Sequence, residues 1–318
     1  MLSDQDLNRV SAVMVTYRSR PLIPQIVKNL QCFSNFVLVD NSANESQSVV
    51  AELSKLFSKG VYPHNKINRG YGGGNNLALS YVTSEFALII NPDVELNISS
   101  INAMIATADL YPQAIIVGAQ IFDSRQKTQD ISYGWRYPDN PSHPYTEPDG
   151  DLSTMFLSGC CLLIRVKPFQ ELGGFDENFF MYYEELDVCQ RVIAAGGDCV
   201  LSANTYVNHF SQSSSTPSWR VSYIKTLHYN RSKQIFLSKY GYEKKSKLGL
   251  LLRGLGHGMS GLIHLGLFNS TRGIKSFAKA HAHLCLIHKK QNQEHKSIRF
   301  RCSLATFYFL GTIVLEDI

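Results

Sequence analysis

The sequence predicts an α/β domain followed by a basic, helical extension, and three observations carry that reading. Short β-rich runs alternate with helical stretches through most of the 318 residues, the pattern of a sheet flanked by helices. The composition, 44% hydrophobic and 18% charged, is that of a folded chain and excludes a disordered one. The net charge of +5 is unevenly divided. Residues 1–215 hold 14 Lys+Arg and 22 Asp+Glu, a balance of −8, whereas residues 216–318 hold 17 and 4, a balance of +13. An acidic first part argues against nucleic acid as a partner. A basic tail suits anionic lipid headgroups or phosphorylated substrates.

The elements follow in order. Val10–Thr16 reads as a strand, residues 22–30 as a helix, and residues 36–39 as a strand ending in Asp40-Asn41-Ser42. Residues 46–57 read as a helix and residues 61–64 as a third strand. A Gly/Asn-rich loop then leads into a helix over residues 76–82. Phe86–Ile90 is a β-rich run that stops at Asn91-Pro92-Asp93. A helix over residues 99–110 ends before Pro112, and residues 114–117 are strand-like again. Residues 123–151, rich in Pro, Asp, Ser and Tyr, have no clear period and are too long for an ordinary connection. An apolar strand over residues 156–164 and a helix from Glu184, closed by Gly196-Gly197, complete the first part.

From Ser218 the chain reads as helical and basic. Its long apolar stretch, residues 248–268, is interrupted by Arg253, His257, His264 and six glycines, whereas a spanning helix needs about 20 predominantly apolar residues. Interfacial or buried packing is therefore expected. Residues 302–315 are apolar but too short to cross alone. The seven cysteines include no CxxC, which excludes a zinc knuckle or a thioredoxin-like site and suits reduced, buried thiols. The polar start, MLSDQDLNRV, has no signal-peptide pattern, so a cytoplasmic location is expected.

Four places carry candidate chemistry. The run Asn68-Arg69-Gly70-Tyr71-Gly72-Gly73-Gly74-Asn75-Asn76 fails GxGxxG at Asn75 and lacks the lysine of a P-loop. It remains either a plain turn or a set of free amides that approach a diphosphate or sugar. Asp93, after an apolar strand, is either part of an Asn-Pro-Asp turn or a carboxylate facing a ligand crevice, where Mg²⁺ takes one or two carboxylates. The segment FDENFFMYYEELD, residues 175–187, sets five carboxylates among aromatics. Glu184 and Glu185 suit a helix's first turn, and Asp187 can pair with Arg191. The same setting also raises a carboxylate's pKa toward general-base use. His209 is either a packed side chain or a ligand, and the serines at 211 and 213–215 either bind phosphate or form a linker.

In this order the residues resemble the inverting glycosyltransferase family 2, especially its bacterial rhamnosyltransferase-like branch. The resemblance rests on VMVTYRS (13–19), VLVDNS (37–42), NRGYGGGNN (68–76) and INPDV (90–94). It continues through SGCCLLIR (158–165), LGGFDENFFMYYEELDVCQR (172–191) and His209. It implies a GT-A fold over residues 1–215, with a nucleotide-sugar half to about residue 120 and an acceptor half over about 150–215. Residues 216–318 are then an appended basic helical region. It also implies that Thr16, Tyr17, Arg18 and Asp40 contact the donor nucleoside, with Asn68, Gly70, Asn75 and Asn91 completing the donor site.

By the same resemblance Asp93 and His209 hold Mg²⁺ or Mn²⁺, with Asn91 where many relatives carry a second Asp. Glu185 is the catalytic base, where Asp is commoner, and Glu184 binds acceptor. The implied partners are a nucleotide-sugar donor, dTDP-L-rhamnose first and a UDP-linked hexose, N-acetylhexosamine or galactofuranose as the alternative, and a polyprenyl-diphosphate-linked glycan at the inner face of the plasma membrane. The rival to an enzyme is a non-catalytic nucleotide-sugar-binding relative. A nucleotidylyltransferase would open with a Gly-rich loop after strand one. Here that place reads Tyr17-Arg18-Ser19-Arg20-Pro21.

Overall fold

The computed structural model describes residues 8–42, 48–123, 128–129, 133–134, 148–210, 218–242, 246–267 and 269–288. Two compact units divide the chain, Met1–Thr216 and Pro217–Ile318. The first is built on a mixed sheet of strands β1 (Val10–Thr16), β2 (Phe36–Asp40), β3 (Phe86–Ile90), β4 (Val94–Glu95), β5 (Ala114–Asp123), β10 (Cys161–Arg165) and β11 (Asp198–His209). Their order is β2-β1-β3-β10-β5-β11-β4. β6 (Thr128–Gln129) pairs with β5 and β8 (Leu152–Ser153) with β11, while β7 (Tyr133–Gly134) and β9 (Phe156–Leu157) form a separate ribbon.

β1 lies parallel to β2 and β3, in a register that sets Thr16 beside Asp40. β10 runs antiparallel between β3 and β5. Helices cover both faces: α1 (Ile23–Leu30), α2 (Val50–Leu56) and α4 (Ile98–Leu110) one, and α3 (Gly70–Leu79), α5 (Val166–Glu171) and α6 (Glu184–Ala194) the other. Strand side chains alternate between the two cores. Ala12 and Met14 pack with Ile26, Leu30 and Met104, and Val13 packs with Val39, Phe169 and Val188. Burial on both faces explains why β1, broken only by Ser11 before its terminal Thr16, and β3 read as near-continuous apolar runs.

The sequence reading needs five corrections. Residues 61–64 are not a strand, because only Val61 forms a parallel bridge, to Val37, and Pro63 has no N–H to continue a ladder. The helix expected over residues 46–57 is Val50–Leu56, with part of that range outside the described residues. The strand over residues 156–164 is two strands, β9 and β10, separated by a turn at Ser158-Gly159-Cys160. The strand at residue 114 continues to Asp123.

The fifth correction is the largest. The glycine run is no loop leading to a later helix: it is α3 itself, which ends at Leu79. Packing selects glycine there against its poor helix propensity. A Cβ on Gly74 would lie 2.8 Å from Val15 Cγ1, and one on Gly72 3.0 Å from Phe175 Cβ. Of residues 123–151, the described parts include the short strands β6 and β7; most of the remainder, with the serines at 211 and 213–215 and residues 302–315, lies outside the described residues.

The second unit holds α7 (Trp219–Lys239), α8 (Lys247–Gly266) and α9 (Ser270–His288). α8 and α9 approach closely through glycine: a Cβ on Gly261 would lie 2.9 Å from the Phe277 ring, and one on Gly254 3.1 Å from Leu284. Leu227 of α7 packs on Ala278 and Ala282 of α9. Among the described residues no helix is long and apolar enough to cross a membrane.

Candidate active site

The C-terminal ends of β1, β2 and β3 and the N-terminus of α6 supply the candidate side chains. Thr16 ends β1 fully buried, with its Oγ1 without a hydrogen-bond partner. Its carbonyl accepts the Asn41 N–H at 2.7 Å, joining the two strand ends. Tyr17 is exposed, and the Arg18 guanidinium lies over its ring, 5.2 Å from the centroid. Arg18 itself has φ 53°, a left-handed conformation fixed by its N–H donating to Ser42 Oγ at 2.8 Å. Asp40 accepts the N–H groups of Ser42 and Val49 at 3.0 and 3.1 Å, so its carboxylate shapes the loop after β2.

Asn68, Gly70 and Asn75 surround the start of α3. Asn68 Oδ1 accepts the Gly70 N–H at 2.9 Å. Gly70 has φ +73°, and a Cβ there would sit 2.0 Å from the Phe180 carbonyl oxygen, so only glycine fits. Asn75 is fully buried; its amide donates to the Tyr71 carbonyl at 3.0 Å and its Oδ1 has no partner.

Two asparagines not singled out from the sequence hold this region together. Asn41 donates to the Gly70 carbonyl at 2.8 Å and accepts from Asn65 at 2.6 Å. Asn76 clamps Phe175 through both its backbone groups at 2.8 Å. The available signal was an Asn at a strand end and one closing a glycine run.

Asn91 and Asp93 follow β3. The Asn91 N–H donates to the Cys160 carbonyl at 2.9 Å, which ties the metal-candidate loop to the turn before β10. Asp93 is 4% exposed, and its Oδ1 lies 3.4 Å from His209 Nε2. β4 pairing Val94 with His209 places them together. The two residues expected to hold a cation are therefore neighbours, although nothing in their sequence spacing required it.

Tyr182 and Tyr183, at φ 69° and 72°, hand the chain into α6 in left-handed geometry. For bulky residues that costs about 1–3 kcal/mol each, which surrounding packing must offset. Glu184 and Glu185 follow. Glu184 is buried against the Gly72 face of α3, where a glycine Cβ would lie 3.7 Å from Glu184 Cβ. Glu185 abuts Gly159, whose Cβ would lie 3.5 Å from Glu185 Cβ, and the Tyr71 hydroxyl donates to the Gly159 carbonyl.

Each glutamate has one buried oxygen, Oε2, without a hydrogen-bond partner. Burial and then the Glu185 charge push the Glu184 carboxyl well above its usual range, and burial pushes Glu185 up to about 7. Burial and the same two carboxylates push the Tyr182 phenol up to about 12. Asp187, fully buried, accepts from Arg191 Nε at 2.8 Å. That guanidinium also donates to the Leu172 and Gly174 carbonyls, so the pair braces the turn before the aromatic segment.

The family model of Glycosyl transferase family 2 matches residues 11–173. The low-salt glycan biosynthesis hexosyltransferase Agl10 of Haloferax volcanii is 26% identical over 212 residues, which span 58% of this chain and 62% of that relative. The N-acetylglucosaminyl-diphospho-decaprenol L-rhamnosyltransferase of Mycobacterium tuberculosis is 27% identical over 236 residues, 62% of this chain and 74% of the relative. Among solved structures, the mannosyltransferase PcManGT from Pyrobaculum calidifontis, in complex with GDP-Man and Mn²⁺, superposes with a TM-score of 0.52 at 13% identity. That match covers 87% of this chain and 86% of that one, a likeness of fold. The match begins inside β1, runs through the strand ends that carry Thr16, Asp40 and Asp93, and closes at the turn braced by Arg191: the chain has a GT-A fold and belongs to glycosyl transferase family 2.

Proposed function

We propose that the chain transfers a sugar, L-rhamnose from its dTDP donor, to a polyprenyl-diphosphate-linked glycan with inversion at the anomeric carbon. The observation that supports this most is Glu185: a carboxylate with a partnerless buried oxygen, raised to about 7, beside the turn that hydrogen-bonds the end of β3. A carboxylate at that pKa is a base matched to neutral pH. Glu185 takes the acceptor hydroxyl's proton while that oxygen forms a bond to the anomeric carbon. The bond from that carbon to the nucleoside diphosphate breaks on the opposite face, and the diphosphate leaves with the electron pair.

Thr16, Tyr17, Arg18 and Asp40, with Asn68, Gly70, Asn75 and Asn91, form the donor half within about residues 1–120. Glu184, nearer the neutral form, donates a hydrogen bond to the acceptor in the half over about 150–215. Asp93 and His209 suit Mg²⁺ or Mn²⁺: one hard oxygen and one imidazole nitrogen, 3.4 Å apart, leave most positions for donor phosphates. Among the described residues no three His, Cys, Asp or Glu side chains gather into a fuller set, which fits a cation held partly by its substrate. Such a cation would neutralise charge on the departing diphosphate.

The acceptor assignment draws support from the mycobacterial relative, an N-acetylglucosaminyl-diphospho-decaprenol L-rhamnosyltransferase. A peripheral place on the inner membrane face draws support from α8. Leu252, Leu255, Met259 and Leu262 share its exposed face, at 55–65% exposure, within a region of +13 charge. Incubating purified protein with a panel of dTDP-, UDP- and GDP-sugars and a polyprenyl-diphosphate glycan tests the reading. Transfer from dTDP-L-rhamnose to product of inverted configuration is expected. Preferred use of a UDP-hexose overturns the donor, and no turnover of any sugar overturns the enzyme.

A further inference from the structure

Within the second unit, α7, α8 and α9 line an open cleft of about 220 Å³, several times the roughly 30 Å³ share of one water. Its walls include Lys233 and Gln234 from α7, Arg253 and His257 from α8, and Lys279 and His283 from α9. Asp and Glu are absent from all described residues of this unit; Glu243, Glu294, Glu316 and Asp317 lie outside them. We propose that this cleft binds a diphosphate-class polyanion, a site apart from the donor site and independent of the transfer reaction.

Three features point to it. First, three obligate cations from three helices converge on one concave space, which focuses positive potential. Second, the site is built: His283 is 4% exposed, and its Nδ1 lies 2.8 Å from the Lys279 carbonyl, so the ring donates there in a fixed orientation. The His257 ring lies 5.4 Å from it, between centroids. Third, burial and then the positive charges of His283, Lys279 and Arg253 hold His257 below its ordinary value. A ligand in this space faces several cations at once, and one carboxylate would offset a single one. A diphosphate matches several at once through charge-assisted hydrogen bonds.

The apolar row of α8 does not compete for the space. Leu255 stands two residues from His257, about 200° round the helix.

The test uses the full chain, ring-labelled at histidine, in Asp93→Ala form and without divalent cation so that the donor site is weakened. Inorganic pyrophosphate is expected to raise the His257 pKa, seen by NMR against the charges that face it: Lys233, Arg253, Lys279 and His283. Calorimetry should show binding weakened at least tenfold by Lys279→Gln and by Lys233→Gln, each melting as the parent does. A parallel arm uses vesicles of phosphatidylglycerol or of phosphatidylcholine. Movement of His257 by pyrophosphate, with or without a response to the vesicles, supports the site; movement by phosphatidylglycerol vesicles alone overturns the diphosphate assignment in favour of singly charged lipid headgroups. A His257 titration unmoved by both probes, or pyrophosphate binding equal in the parent and both lysine variants, overturns it.

Discussion

The first turn of α6 holds acidic side chains in opposite states. Asp187 is fully buried and paired with Arg191, whose other nitrogens reach two backbone carbonyls. Glu184 and Glu185, three and two residues earlier, each bury an oxygen with no partner. One helix turn thus contains a satisfied charge and two unsatisfied ones. Satisfaction marks a structural use, because removing a partner would leave a buried charge. An unsatisfied carboxylate is costly to hold, and it suits a group that must exchange a proton with a substrate.

The largest effect that sharpens this contrast comes from the neighbouring cation site. Asp93→Ala is expected to abolish transfer, and a chelator to remove activity that Mg²⁺ or Mn²⁺ restores. Full activity in excess chelator would remove the metal from the account. Next comes the satisfied side: Asp187→Asn leaves the half-buried Arg191 against two carbonyls without its counter-charge and should cost about 3 kcal/mol, the lower end for breaking a buried pair. Denaturant unfolding measures it, and a near-wild-type midpoint with lost activity would move Asp187 from bracing to chemistry.

The unsatisfied side predicts the reverse sign. The folded pKa values of Glu184 and Glu185 are raised above the unfolded value of about 4.3, so the folded state binds more protons in between. For Glu185 that favourable contribution is complete below about pH 4 and lost as pH rises through about 7, and for Glu184 it is likewise lost as pH rises. Glu184→Gln and Glu185→Gln should therefore melt higher than wild type at pH 8 and much like it at pH 4. Equal melting at both values would show that the carboxylates are solvated. The smallest effect concerns α8: Leu252→Gln with Leu262→Gln should reduce binding to anionic vesicles, and added salt should reduce the remainder because screening acts over about 8 Å at physiological ionic strength. Binding unchanged by either would exclude this face.

The contrast also shows what a sequence discloses. Asp187 with Arg191 is legible from a four-residue spacing on a helix. β1 and β3 are legible because both faces are buried, which leaves near-continuous apolar runs. α3 is not, since glycine disfavours helix and only the nearness of Val15 and Phe175 explains its use. Asp93 meeting His209 depends on the two-residue strand β4, too short to leave a pattern. The left-handed Tyr182 and Tyr183 are set by packing that no local preference encodes.

The central claim is that Glu185 holds the proton. Single-turnover transfer, measured alongside donor affinity for Glu185→Gln, Glu185→Asp and Glu184→Gln, tests it directly. Glu185→Gln should lose about 10²–10⁴-fold in turnover with donor affinity near normal. Glu185→Asp should recover part of that loss, and Glu184→Gln should do less damage. Wild-type turnover should rise with pH through about 7, as Glu185 ionises. An active Glu185→Gln beside an inactive Glu184→Gln would contradict the account and place the base one residue earlier.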